Sequence, residues 1–328
     1  MRKTRIAMFV MALALVLALA LTIVGCGSKK KSGDNGGTLT GANIVAQSTT
    51  AMQQVKGATV GFDLTANVSI DETKVNAQTK AMVKDPITVK GTLKFNGTAV
   101  SDSKVDLTAT AKAGAQSYDV GAKIDGSKGW LGLMGQWYIL PMDTLSQIGG
   151  SPTPSASSAP GGVAAQLKTL LGVDDSGWIT SNDLVGTEQL DGKDVYHISN
   201  KLDIAALATS LSSLAQSSSL LGGASTLPTT AKDTAATIKE LQSALKEVKI
   251  DTWYEKDTFY LKKLIITAKM DLNSDPDLAA QGLNTLDLTI TITMGDYNAD
   301  FSVTPPATAL PLDQLTNSLG SLTGGTGN

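Results

Sequence analysis

The chain has 328 residues, 27 basic against 30 acidic ones, a single histidine and a single cysteine. Lone His197 rules out a histidine-pair metal site or histidine-pair catalysis, and lone Cys26 rules out an intrachain disulfide. Every basic residue after Arg2, Lys3 and Arg5 is lysine, so the chain beyond them lacks the guanidinium fork that reads phosphate or guanine, and nucleic acid is not an expected partner.

In chain order, Arg2, Lys3 and Arg5 form a basic start, and Ile6 to Val24 is apolar except for Thr22. Residues 1–25 therefore read as an export signal. Ile23-Val24-Gly25-Cys26 resembles a bacterial lipobox, which implies cleavage before Cys26 and acylation of its thiol. Two or more acyl chains, at about 0.8 kcal/mol per buried CH₂, give a stable anchor where one chain does not. An uncleaved transmembrane helix is the alternative. Both place the rest of the chain outside the cytoplasmic membrane, on its extracytoplasmic face.

Residues 26–41 are rich in Gly, Ser and Lys and read as a flexible tether. A helix is expected from Ala42 to Lys56, with Ile44, Gln47, Ala51, Met52 and Val55 at helical spacing. The period then changes to two. Val60, Phe62, Leu64, Ala66, Val68 and Ile70 fall on one side of a strand, and polar residues on the other. Ile87, Val89, Gly91, Leu93 and Phe95 form the next stripe, followed by Val105, Leu107, Ala109, Ala111 and Ala113. Tyr118, Val120, Ala122 and Ile124 lead into an Asp125-Gly126 turn, and KGWLGLMGQWYILP supplies two short strands around Gly135.

Residues 151–162 (SPTPSASSAPGG) are low-complexity and read as a loop. Helices are expected over 164–171, 204–221 and 230–248, the last with Ala231, Ala235, Ile238, Leu241, Leu245 and Val248 in a stripe. Between them DGKDVYHIS reads as a strand after an Asp-Gly turn. Four more strands are expected in VKIDTWYEK, FYLKKLIITAKMDL, LDLTITITMG and ADFSVTPP, the last ended by Pro305-Pro306. Residues 311–328 form a tail. The expected architecture is one α+β domain over 42–310, a strongly curved antiparallel half-barrel sheet with helices packed on its concave face.

Catalytic signals are weak. Ser101–Lys104 and Ser243–Lys246 have Ser-x-x-Lys spacing without companion motifs. Asp271, Asn273, Asp275 and Asp277 have the spacing of a calcium loop, but Pro276 and Gly282 stand where Gly and Glu are needed, so a helix start is expected there. His197 lies in a strand and reads as structural. The expectation is a protein that is not an enzyme and holds neither metal nor cofactor.

Behind the lipobox stand AMQQVKGATVGFDLTANV, GSKGWLGLMGQWYILP, DGKDVYHISNKLD, VKIDTWYEKDTFYLKKLIITA with its W-x-x-K-x-T turn, and MGDYNADFSVTPP. These five stretches, in this order, resemble the LppX/LprG-type lipoproteins of actinobacteria, within the LolA/LolB-like superfamily of lipoprotein-sorting and lipid-carrying proteins. The resemblance spans about Asn43 to Pro306. It implies an apolar cavity under the half-barrel for lipid or acyl chains. Phe62, Leu64, Val89, Leu93, Phe95, Leu107, Ile290 and Ile292 are its expected lining, with room left by Ala66, Gly91, Ala109, Ala111 and Ala122. Periodicity alone is the same for a cavity wall and a filled core. The competing function is a non-catalytic accessory or sensor lipoprotein that docks another envelope protein.

Overall fold

A computed structural model describes residues 39–97, 103–141, 179–203, 206, 243–274 and 276–314. The signal segment, Cys26, most of the tether, Ser101, the 151–162 loop, the expected 164–171 helix, most of the expected 204–221 helix, residues 230–242 of the expected 230–248 helix, Asp275 and the tail beyond 314 lie outside the described residues.

Among the described residues twelve strands form one open sheet. In chain order they are β1 Gly57–Ile70, β2 Ile87–Asn96, β3 Lys104–Ala113, β4 Gln116–Asp125, β5 Lys128–Leu133, β6 Gln136–Leu140, β7 Ile179–Leu190, β8 Lys193–Leu202, β9 Leu245–Glu255, β10 Leu261–Asp271, β11 Leu283–Gly295 and β12 Leu310–Pro311. Their order across the sheet is β12-β6-β5-β4-β3-β2-β1-β11-β10-β9-β8-β7. Two antiparallel meanders thus run outward from the centre, and β1 pairs with β11 to join them. The exception to antiparallel pairing is the short β12, parallel to β6 at Tyr138 and Ile139.

The turns explain the hairpins. Met134 and Gly135 (φ 50 and 80) and Asp191 and Gly192 (φ 52 and 76) both fill two-residue loops with positive φ at each central position. That is the type I′ geometry whose twist matches a hairpin.

Three short helices accompany the sheet among the described residues: α1 Gly41–Met52, α2 Ala77–Val83 and α3 Pro276–Ala280. The Thr40 hydroxyl oxygen caps α1 by accepting from the Asn43 backbone N–H at 3.3 Å. Ile44, Ser48 and Met52 are its buried side. Gln47, expected on that side, is exposed, and the helix stops four residues short of Lys56. Its first residue sits hard against β7: a Cβ on Gly41 would meet the Asn182 carbonyl oxygen at 2.1 Å. α2 was not anticipated; Asn76 Oδ1 caps it by accepting from the Thr79 N–H at 2.8 Å. The helices expected to cover the concave face fall mostly outside the described residues, and among those described α1 packs on β7.

Two expectations are corrected. The 230–248 helical stripe does not reach its end, because Leu245 and Val248 lie in β9, in register with Met270 and Ala268 of β10. ADFSVTPP is not a strand. Asp296 and Asn298 take positive φ (48 and 57), and Asn298 turns the chain back over β1 by donating to Gly57 O and accepting from Lys56 N. β7 went unrecognised, because an edge strand with little to bury carries no alternation.

One side of the sheet is dry. Val60, Phe62, Leu64 and Ala66 join Leu286, Leu288, Ile290, Ile292 and Met294 in a single buried cluster with residues of β8 to β10. Gly91 belongs to the packing of this side: a Cβ there would lie 2.4 Å from Phe62 Cζ and 2.4 Å from Thr108 O. The Phe62 ring occupies the space the glycine leaves. Gly91→Ala is therefore expected to lower stability by about 1–2 kcal/mol through overpacking, read as a shift in denaturation midpoint at constant slope.

Candidate functional site

The eight residues expected to line a cavity come together. Phe62 pairs with Ile292, and Leu64 with Ile290 and Val89. Val60 connects Leu93, which pairs with Leu107, and Ala58 connects Phe95. All eight lie on the dry face of four adjacent strands and within one apolar cluster.

They divide by burial. Phe62, Leu64, Ile290 and Ile292 expose 4%, 0%, 0% and 1% of their surface; they are packed core. Val89, Leu93, Phe95 and Leu107 are half-buried. The same face continues outward in register, Ala109 to Val120 and Ala111 to Tyr118. Val120 and Tyr118 are exposed to 38% and 41%. Apolar character thus persists across β2, β3 and β4 while burial fades.

The expected small residues behave unequally. The room at Gly91 is taken by Phe62, and Ala66 and Ala109 are buried in the cluster. Ala111 and Ala122 stay half-buried on the open part of the face.

His197 is held by neighbours. Its Nδ1 lies 2.7 Å from Glu188 Oε1, its Nε2 lies 3.2 Å from Asp251 Oδ1, and its ring stacks on Trp253 at 4.3 Å. Glu188 also accepts from the Trp253 indole N–H at 3.0 Å. That bond, with the bond and charge of His197 and the charge of Lys263, holds the Glu188 carboxyl below its ordinary range against the opposing effect of desolvation. Both ring nitrogens of His197 face carboxylates on β7 and β9, which pins three strands together.

Of the other catalytic candidates, Ser101 and Asp275 lie outside the described residues, and Ser243, Lys246, Asp271 and Asn273 are engaged in local structure. Lys246 Nζ donates to the Ser243 backbone carbonyl at 2.8 Å. Asp271 Oδ1 accepts from the Asn273 N–H, and Asn273 Nδ2 donates to Asn284 O. Asp271 and Asn273 thereby shape the turn that leads into α3.

The W-x-x-K-x-T turn shows its purpose at Glu255, which no sequence signal singled out. Thr258 Oγ1 donates to Glu255 Oε2 at 2.6 Å, and Lys193 Nζ pairs with Glu255 Oε1. Lys256 sets its ammonium 5.8 Å from the Tyr196 ring centre.

A cleft of about 780 Å³ opens on the opposite face, across β1 to β6 and β11. Of the eight dry-face residues it touches Phe62. Its floor was invisible in the sequence because it is assembled by cross-strand register.

No family model matches the chain, and no curated protein matches it. Among solved structures it is similar to LprF from Mycobacterium bovis, with 11% identity and a TM-score of 0.38 over 82% of this chain and 97% of that one. It is also similar to lipoprotein LppX of Mycobacterium tuberculosis, with 13% identity and a TM-score of 0.32 over 80% and 96%. A putative outer membrane lipoprotein-sorting protein domain from Vibrio parahaemolyticus matches at 10% identity and a TM-score of 0.19, over 79% and 92%. All three TM-scores lie under 0.5. Among the described residues no helix is long and apolar enough to cross a membrane.

Proposed function

We propose that this is an extracytoplasmic lipoprotein, anchored through acylated Cys26, whose dry sheet face binds lipid or acyl chains and carries them within the envelope. The observation that supports the reading is the unfinished burial of the dry face. Val89, Leu93, Phe95 and Leu107 are half-buried, and Val120 and Tyr118, in register beyond them, are exposed. An apolar strip of this kind gains about 25 cal/mol for each Å² that a hydrocarbon chain removes from water. Nothing directional is required, so selectivity among acyl chains is broad.

Native mass spectrometry and lipid extraction on protein made in its own host test this. The expected result is a co-purifying lipid and saturable binding of a fluorescent fatty acid. Protein that is always empty and binds no fatty acid overturns the reading.

The docking alternative draws on a different observation. Edge strand β7 exposes Ile179, Leu184 and Val185, the last at 59%. In-cell crosslinking from Val185 that captures one envelope protein, together with failure of the fatty-acid experiment, would favour it.

A further inference from the structure

The cleft on the second face is built from two rows of residues that register places side by side. Thr293, Gly61, Thr92, Thr108, Gly121 and Gly132 are cross-strand neighbours in that order, and the row ends at Trp137. Beside it, Thr291, Asp63, Lys90, Thr110 and Asp119 form the second row. Both rows line the cleft. The first crosses seven strands, which at about 4.8 Å per strand makes a floor about 29 Å long. The site is a trough that runs perpendicular to the strands and suits a linear polymer.

Its chemistry is specific. The Trp137 indole lies across two glycines: a Cβ would stand 2.7 Å from its Cη2 at Gly121 and 3.0 Å at Gly132. Those glycines let the ring lie down on the sheet as an apolar platform at one end of the floor. Beyond it the floor is Gly61, threonine hydroxyls, the Lys90 ammonium and two carboxylates. Asp119 Oδ1 accepts from Thr110 Oγ1 at 2.7 Å, and Asp63 Oδ2 pairs with Lys90 at 2.7 Å. The Asp63 side chain stays 42% exposed beside that pair, so its carboxylate is open to a hydroxyl donor from outside the chain.

The occupant follows from these groups. A hydrocarbon chain would desolvate the hydroxyls and both carboxylates without compensation. An anionic polymer meets Lys90 already paired with Asp63, and Lys123 already paired with Asp106 at 2.8 Å. An extended peptide has no sheet edge to extend, since the floor is the face of strands already paired on both sides. A sugar polymer offers flat C–H faces for Trp137 and hydroxyl donors for Asp63 and Asp119.

We infer that the Trp137 trough is a binding site for a neutral linear glycan, separate from the dry face. The full chain is titrated calorimetrically with maltohexaose, cellohexaose, chitohexaose and mannohexaose. Saturable binding of at least one, with Kd at or below about 1 mM, is expected. Trp137→Ala is expected to weaken it at least about tenfold, as for a buried aromatic anchor, while Trp137→Phe keeps part of it. Asp63→Asn weakens it as well, and a saturating fatty acid does not compete. If Trp137→Ala fails to fold, as judged by circular dichroism, Asp63→Asn and Thr108→Val are read in its place. No binding of any of the four probes at 5-fold higher concentration (about 5 mM) overturns the assignment. So does binding that Trp137→Ala and Asp63→Asn leave unchanged, competition by fatty acid, or saturable binding of a peptide instead of a glycan.

Discussion

Leu64→Ala and Leu107→Ala are expected to part company. Leu64 exposes none of its surface and lies between Ile290 and Val89 in register. Removing its isobutyl end leaves a hole in a packed core, at about 3 kcal/mol of stability. Leu107 lies on the same face two strands away, opposite Leu93, but is half-buried. Its truncation removes little packing, at about 1 kcal/mol or less. The order reverses in binding. Under the proposed function Leu107→Ala withdraws apolar surface from an acyl chain and weakens fatty-acid binding roughly fivefold, the equivalent of about 1 kcal/mol. Leu64→Ala, behind the wall, leaves the contact surface in place as long as the chain is folded. Urea denaturation and fatty-acid titration on the two variants check both halves. Equal destabilisation by the two, or a binding loss confined to Leu64→Ala, would mean that the half-buried strip is ordinary core.

This division refines what the sequence shows. Alternation identified β1 and β11 along their lengths, since a strand between two others with one face buried must repeat every second residue. It could not grade the stripe. Leu64 and Leu107 look alike in sequence, and the difference comes from where their strands sit, at the centre of the sheet or toward its flank. Gly91 illustrates the opposite error, since a missing side chain suggested space that a neighbouring ring already fills. β7 was missed for a related reason: at the edge, Thr180 to Gln189 have little to hide, so turn and polar residues are tolerated. α2, with no buried residue among its seven, leaves no apolar period to detect. The trough lay deepest of all. Gly61, Thr92, Thr108, Gly121 and Gly132 are spaced irregularly along the chain, and only antiparallel pairing places them in a line.

Glu255→Gln is expected to lower stability by about 2 kcal/mol at neutral pH, in line with the loss of hydrogen bonds to a charged group. No sequence signal marks Glu255, yet it exposes 5% of its surface. Burial pushes its pKa up, but the hydrogen bonds from Lys193 and Thr258 and the charges of Lys193 and Lys262 outweigh that, and the carboxyl is held below its ordinary range. Lys193 is 59% exposed, so solvent screens part of that pair and the short Thr258 bond carries more of the effect. A carboxyl depressed in the folded state stabilises fully above its unfolded value, about 4.3. That contribution fades as pH falls through the lower folded value. The gap between wild type and Glu255→Gln is therefore expected to be widest at pH 7 and to narrow steadily below about pH 4.3. Glu188, Asp71 and Asp183 are depressed too, but they titrate alike in both proteins and cancel in the difference. Paired urea titrations from pH 7 down to pH 3 measure the gap directly. A gap of constant size across that range would show that Glu255 acts through shape and neutral hydrogen bonding at the β9–β10 turn, with no contribution from its charge.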